Sequence, residues 1–150
     1  MESVNKRIIG RKDLVSFPGF GLDYVPVKID SGAYSSSMHC QSIEVVEFDN
    51  REQLRVVFLD PSFPGYTGKE VVFSDFKTKL VKSSNGIAQE RFFVKGTVQL
   101  FGESVETVFS LTERNGLRNP VLLGRKLLNK RFLIDPSKTN CSYTYENNNL

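Results

Sequence analysis

One carboxylate at the end of an apolar run is the side chain of this sequence best placed to do chemistry. The run from Val25 to Ile29 leads into Asp30, and the small residues Ser31, Gly32 and Ala33 follow. Small residues let a second backbone approach a carboxylate closely, and a hydroxyl next to the aspartate can lock the loop by hydrogen bonding. An isolated Asp-Ser-Gly is a weak signal, because such triplets also form ordinary turns. The context predicts a strand that delivers a carboxylate into a tight loop.

The chemistry of such a loop needs two carboxylates. Two of them held about 3 Å apart cannot both ionise, so they share a proton. One then acts as a general base on water, while the other donates a proton to a carbonyl oxygen. The 150 residues contain one Asp-Ser-Gly. A working pair therefore requires a homodimer, with Asp30 of each subunit beside the two-fold axis.

Several further runs resemble one bacterial protein family, in the order that the family shows. The run from Val27 to His39 is similar to its Lys-Ile-Asp-Thr-Gly-Ala signature, with Ser31 in place of the commoner threonine and Cys40 in place of a small alanine. The other matching runs are Ser83 to Gly86 with Glu90 and Arg91, Leu111 to Arg114, Asn119 to Leu128, and Arg131 to Ser137. The chain thus resembles, from about Arg7 to Lys138, the retropepsin-like aspartic proteases often labelled "ATP-dependent zinc protease".

The resemblance implies an all-β, closed retropepsin-like (acid protease) barrel with one short helix after Gly124. It also implies an aspartic-type peptidase in which Asp30 is catalytic. The residues expected to support the active loop are Ser31, Gly32, Ala33, Ser36 and Arg125. Arg125 is expected to pair with a carboxylate near that loop or at the dimer interface. The alternatives are a surface arginine that starts a helix and, for the whole chain, a non-catalytic peptide-binding module of the same fold.

The substrate is expected to be a peptide, and basic side chains suggest which kind. Arg91, Arg114 and Arg118 are candidate substrate-binding residues if they line the cleft. The resembling family is associated with ATP-grasp ligases that add glutamates to proteins or peptides, which implies acidic, glutamate-rich substrates. The alternative is a solvated basic face, because the sequence does not show which strand faces these residues share.

No metal or organic cofactor is expected. His39 is the only histidine and Cys40 follows it, but a zinc site needs three or four ligands at recurring spacings. The sequence contains neither a Cys-x-x-Cys nor a His-Glu-x-x-His pattern, and it has no phosphate-binding Gly-x-x-x-x-Gly-Lys loop. His39 is expected to cap a hydrogen-bond network. The loop that opens at Asp60 is a candidate for a mobile cover over the cleft.

Short β-like runs must position these residues. They recur at spacings of about 8–12 residues between Gly, Pro and Asn, which favours a sandwich or barrel. The runs on either side of Phe101-Gly102 predict a hairpin, and Arg125 to Lys130 predicts the single helix. We expect one domain over 1–150, with a core at about 7–138 and a frayed polar tail at 146–150.

Composition excludes several classes of protein. The net charge of +3 is too small and too evenly spread to predict nucleic-acid binding. No apolar run approaches the roughly 20 residues of a membrane helix, and no signal-peptide-like stretch follows the polar N-terminus. A cytoplasmic location without membrane contact is therefore expected. Two cysteines do not form a disulfide framework.

Overall fold

A computed structural model describes residues 6–82, 85–113 and 118–148, and strands dominate them. The strands are β1 (Arg7–Ile9), β2 (Lys12–Phe17), β3 (Leu22–Ile29), β4 (Ser36–Phe48), β5 (Arg51–Phe58), β6 (Glu70–Phe73), β7 (Lys77–Lys82), β8 (Ala88–Leu100), β9 (Glu103–Thr112), β10 (Val121–Leu123) and β11 (Phe132–Ile134). The helices are α1 (Arg125–Leu128) and α2 (Cys141–Asn148), and a 3-10 turn spans Pro18–Phe20. None of the described helices is long and apolar enough to span a bilayer.

Six strands close into a barrel, which confirms the predicted fold class. The hydrogen-bonded order is β10-β3-β2-β8-β9-β4, and β4 returns to β10. The short strand β10 closes the ring because it pairs on both sides, in parallel with β3 and antiparallel with β4. Its Val121 lies opposite Val27 on one side and Met38 on the other. Closure leaves these six strands with no free edge between them.

The barrel interior is filled by apolar side chains that alternate with outward-facing ones along each strand. Val15 and Phe17 in β2 are completely buried, as are Met38 in β4 and Phe109 in β9. The rings of Phe17 and Phe109 meet edge to face, with centroids 5.7 Å apart. Because successive strand residues point to opposite faces, the same alternation sends the intervening side chains outward.

The β8–β9 hairpin is confirmed at the predicted place. Leu100 pairs with Glu103, and the two residues between them, Phe101 and Gly102, both have positive φ angles, 53° and 76°. Two consecutive positive φ angles are the conformation of a type I′ turn, whose twist matches that of paired strands. The hairpin therefore fixes the register of β8 against β9.

The C-terminal segment departs from the expected frayed tail. Residues 141–148 form the helix α2, so the prediction is wrong for 146–148, and residues 149 and 150 lie outside the described part. The helix packs on β2, where the buried carboxylate of Asp13 accepts the N–H groups of Ser142 and Tyr143 at 2.9 and 3.1 Å. The sequence also predicted a single helix, over 125–130, whereas α1 ends at Leu128.

Candidate active site

The loop that follows β3 holds Asp30 at one end of the barrel. The N–H of Asp30 donates to the carbonyl of Leu123 in β10 at 2.9 Å, so the barrel ladder continues to the loop itself. The chain then turns tightly, and the N–H of Ala33 donates to the carbonyl of Asp30 at 3.3 Å. These backbone bonds set the direction in which the Asp30 side chain leaves the barrel.

The Asp30 carboxylate is half-buried and has one oxygen fixed from within the loop. The N–H of Gly32 donates to its Oδ1 at 2.9 Å. Within the described residues the second oxygen, Oδ2, accepts no hydrogen bond. A Cβ on Gly32 would lie 3.2 Å from Oδ1, so a larger residue would crowd the carboxylate. One oxygen is thus oriented while the other is open to water or to another carboxyl group.

The start of α1 clamps the loop from behind. The N–H groups of Arg125 and Lys126 donate to the carbonyls of Ala33 and Tyr34 at 2.8 and 2.9 Å. The buried hydroxyl of Ser36 accepts the N–H of Gly124 at 3.1 Å. A side chain at Gly124 would not fit, because its Cβ would lie 2.6 Å from the carbonyl oxygen of Ser35. Close backbone contact between loop and helix therefore requires glycine at this position.

Arg125 supports the loop through a different group from the one expected. Its Nη1 donates to the carbonyl of Ser31 at 3.0 Å, and its guanidinium lies over the Tyr34 ring, 5.8 Å from the centroid. Among residues 6–82, 85–113 and 118–148 it forms no ion pair with a carboxylate. The expected carboxylate partner within the chain is therefore replaced by a main-chain carbonyl. A partner across a dimer interface stays a prediction.

The outer surface of the loop is open. Ser31 and Gly32 are exposed, and Tyr34 is 57% exposed. The arrangement has a fixed carboxylate, a free oxygen and an exposed outer face, while the contacts that hold the loop to the rest of the chain come from β10 and α1. Such a surface leaves room for a second subunit to approach Asp30.

His39, in β4, belongs to a hydrogen-bond network with the loop that opens at Asp60. It is buried, and its Nε2 lies 2.8 Å from Oδ2 of Asp60. The N–H and hydroxyl of Ser62 both donate to Oδ1 of Asp60. Hydrogen bonds from Ser62, followed by the contact with His39, hold the pKa of the Asp60 carboxyl below its usual value.

The loop that opens at Asp60 contacts the barrel at several points, and its role as a mobile cover stays a prediction. The hydroxyl of Tyr66 donates to the side chain of Gln41 on β4. Gly65 approaches β3 so closely that a Cβ would lie 3.0 Å from the Val25 side chain. Phe63 packs against the barrel core and meets the His39 ring edge to face. Each of these contacts would have to break for the loop to open.

Of the predicted substrate-binding arginines, Arg91 lies in a cavity apart from the Asp30 loop. Arg91 lines a cavity of about 360 Å³ with Phe92 and Glu113, and no residue of the Asp30 loop contributes to that lining. Arg118 is exposed in the segment that leads into β10, and Arg114 lies outside the described residues. Sequence reasoning did not predict that four lysines come together around a second cavity: Lys77, Lys79, Lys95 and Lys126.

Candidate metal ligands do not converge in the described part of the chain. No group of three or more His, Cys, Asp or Glu side chains there is arranged to hold an ion. Cys40 is buried and Cys141 half-buried, and both are free thiols. Burial, followed by the negative charge of Glu113, raises the pKa of the Cys40 thiol. That cysteine is therefore a protonated core residue, unsuited to serve as a nucleophile.

A protein-family model and curated relatives both match most of this chain. The model of the RimB-like family, described as "Retropepsin-like aspartic endopeptidase RimB", matches residues 8–144. A probable alpha-L-glutamate ligase of Shewanella pealeana is 31% identical over 144 residues, which are 93% of this chain and 30% of that protein. One of Parasynechococcus marenigrum is 30% identical over 135 residues, 87% of this chain and 28% of that protein. The chain thus spans less than a third of these relatives.

A solved structure supports the fold independently. The crystal structure of a Legionella pneumophila protein of unknown function superposes with a TM-score of 0.66. The match covers 92% of this chain and 99% of the other, at 22% sequence identity. At that identity the similarity concerns the arrangement of the strands and leaves the chemistry to the residues of the site.

Proposed function

Because the chain belongs to the RimB-like family of retropepsin-like aspartic endopeptidases, we propose that it hydrolyses peptide bonds as a homodimer. The observation that carries the proposal is the Asp30 loop. One carboxylate oxygen is fixed by the N–H of Gly32, the other is open, and the loop faces outward while α1 holds it from behind. A single chain supplies one such carboxylate, so the second comes from the partner subunit.

The reaction follows from a shared proton between two Asp30 carboxyl groups. The ionised one takes a proton from a water molecule, which attacks the scissile carbonyl carbon. The protonated one donates to the carbonyl oxygen as the tetrahedral intermediate forms. Collapse of that intermediate transfers a proton to the leaving amine and restores the pair. No metal or organic cofactor takes part in these steps.

The loop contacts preorganise this chemistry. The Gly32 N–H holds Oδ1 of Asp30 in one orientation. The bonds from Arg125 to Ala33 and Ser31 fix the main chain on both sides of Gly32. A carboxylate that is already in place costs no reorganisation at the moment of reaction.

Glutamate-rich peptides are the substrate class that we favour. The relatives named probable alpha-L-glutamate ligase contain a segment similar to this chain within a much longer protein. A hydrolase fused to an enzyme that joins glutamates would act on the product of that ligation.

The test is cleavage of an oligoglutamate peptide by wild type and by Asp30→Asn. Asparagine keeps the shape of the side chain and removes its acid–base function, so the rate should fall by a factor on the order of a thousand or more. Asp49→Asn is the matched control, since Asp49 lies in the exposed β4–β5 turn, where asparagine tolerates its φ of 54°. Equal melting temperatures would show intact folds, and full activity in Asp30→Asn would refute the mechanism.

A peptide-binding module of the same fold is the second candidate. It is favoured by the presence of one Asp30 per chain, because a monomer would lack the second carboxyl group. Wild type that binds oligoglutamate at every protein concentration without cleaving it would support this alternative.

A further inference from the structure

Four lysines surround a small cavity on the outer face of the barrel, and nothing in the catalytic scheme uses their side chains. We propose that this cavity, the lysine pocket, binds a carboxylate-rich peptide segment at a place separate from the Asp30 loop. The pocket is lined by Lys77, Lys79, Lys95 and Lys126 around Phe76 and Phe93. The proposal extends the proposed function by giving an acidic substrate a second attachment point, although binding there does not require hydrolysis.

Three strands and one helix build the lysine pocket. Lys77 and Lys79 are alternate residues of β7 and project on one face, as Phe93 and Lys95 do in β8. The pairing of Lys77 with Phe93 brings these two faces together. Val94, between Phe93 and Lys95, is buried in the barrel, which shows that its two neighbours point outward. The cavity between them has a volume of about 140 Å³.

The charged side chains of the lysine pocket are mostly positive. All four lysines are exposed, and none of them forms an ion pair with a carboxylate in the part of the chain that the structure describes. Asp75 supplies the one acidic side chain of the lining. Four ammonium groups around one concavity repel one another, and a polyanion that enters relieves this repulsion. The pocket is therefore complementary to a ligand with several negative charges.

The apolar floor of the pocket selects among polyanions. Phe76 and Phe93 are half-buried in the lining, where they give apolar surface for the methylene groups of a glutamate side chain, whose carboxylate then reaches an ammonium group. The ammonium of Lys79 already lies 5.1 Å from the centroid of the Phe93 ring. A nucleobase would need that ring face for stacking. The pocket thus favours an acidic peptide over a single-stranded nucleic acid.

Lys126 connects the pocket to the catalytic loop. Its side chain lines the cavity, while its N–H donates to the carbonyl of Tyr34. The preceding N–H, from Arg125, donates to Ala33. A peptide held in the pocket is therefore anchored to the same turn of α1 that holds the Asp30 loop. Such anchoring concentrates substrate at the enzyme and lowers KM, with no group added to the reacting centre.

Binding of a fluorescent hexaglutamate to the full chain tests the proposal, in an Asp30→Asn background that removes cleavage. We expect the double variant Lys79→Gln/Lys95→Gln to raise Kd by at least about tenfold, because each lysine can give a charge-assisted contact. The matched control is Lys12→Gln/Lys69→Gln, which removes two exposed lysines outside the pocket. At about 0.15 M salt the control should change Kd less than about threefold, since distant charges are screened.

Three results would overturn the proposal. Equal weakening by both double variants would show a diffuse field instead of a site, and an unchanged Kd in the pocket variant would show that the lysines do not bind. Tighter binding of an oligouridylate than of hexaglutamate, with the same lysine dependence, would identify a nucleic-acid site.

The same measurements separate the lysine pocket from the proposed peptidase activity. If wild type cleaves no peptide, and the pocket variant loses binding while the control variant keeps it, the peptidase proposal fails and the lysine pocket stands. In a cleaving enzyme, the pocket variant should raise KM for hexaglutamate and leave kcat unchanged.

Discussion

Asp13 is a buried carboxylate that is used for structure. It is 2% exposed and accepts three N–H groups, from Leu14, Ser142 and Tyr143. Burial raises the pKa of its carboxyl, and the three hydrogen bonds only partly oppose that shift. The group is thus more easily protonated in the folded chain than in the unfolded chain.

The raised pKa of Asp13 predicts a specific dependence of stability on pH. A raised carboxyl pKa gives stability that is present below the unfolded value of 3.8 and is lost as pH rises through the folded value. The free energy of unfolding of wild type relative to Asp13→Asn should therefore fall as pH rises above the unfolded pKa of 3.8, and level off once pH has passed the folded pKa. Urea denaturation at several pH values measures it.

Glu146 requires a control in that experiment. Burial raises the pKa of its carboxyl, and the charge of Asp13 raises it further. Repeating the measurement in a Glu146→Gln background, with and without Asp13→Asn, removes this second titration. A stability difference that stays constant or grows with pH in that background would contradict the assignment to Asp13.

Arg125 should act on catalysis through the loop that it holds. Arg125→Lys keeps the charge but loses the planar group that bonds to Ser31 and lies over Tyr34. We expect kcat for peptide cleavage to fall about tenfold with little change in melting temperature, because a loosened loop positions Asp30 poorly. Faster amide exchange at Gly32 and Ala33 would accompany it. Arg51→Lys, at an exposed position of β5, is the control, and equal activity of both variants would exclude the positioning role.

At the level of elements, local patterns predicted the strands and failed for α2. The alternation of Leu54, Val56 and Phe58 is visible in any short window, so β5 could be located from it. The sequence of α2 is rich in Ser, Thr, Tyr and Asn, which are weak helix formers, and no amphipathic stripe marks it. Its N-terminal N–H groups are capped by Asp13, 129 residues from Ser142. A cap supplied by tertiary structure leaves no signal in the local sequence.

The residues of the candidate site likewise fall into those that the local sequence predicts and those whose position depends on tertiary structure. The Asp30 loop could be predicted because strand, carboxylate and small residues are contiguous in the chain. The position of Arg91 could not, since it depends on how β8 aligns with β9, where Phe92 lies opposite Leu111. The lysine pocket was missed for this reason too, because it needs the register of β7 against β8 and the approach of α1.

The contact between α2 and the β8–β9 hairpin should be a measurable part of the stability. The buried hydroxyl of Ser142 accepts the N–H of Phe101 at 2.8 Å. Ser142→Ala would leave that buried N–H without a partner, which costs about 1–3 kcal/mol of unfolding free energy. Ser104→Ala, at an exposed position of β9, should cost less than about 0.5 kcal/mol. Equal unfolding free energies for the two variants would show that the hairpin does not depend on α2.

For the whole molecule, the decisive property is whether two chains share one site. Each chain brings one Asp30, and the outward face of its loop carries exposed residues such as Tyr34. A dimeric catalyst requires that activity per chain rise with protein concentration until the dimer saturates. Sedimentation over a concentration series, for wild type and Asp30→Asn, measures the association itself.

Mixed subunits separate a shared site from two independent ones. When wild type at fixed concentration exchanges subunits with a ninefold excess of Asp30→Asn, only about a tenth of its chains find a wild-type partner. If each site needs both aspartates, activity should fall to about that fraction, with substrate in excess so that the inactive chains do not deplete it. An equal excess of an unrelated protein is the control for crowding and adsorption. A monomeric catalyst would keep its full activity in the mixture, because no wild-type chain would depend on its neighbour, and Asp30 would then have to work without a second carboxyl group.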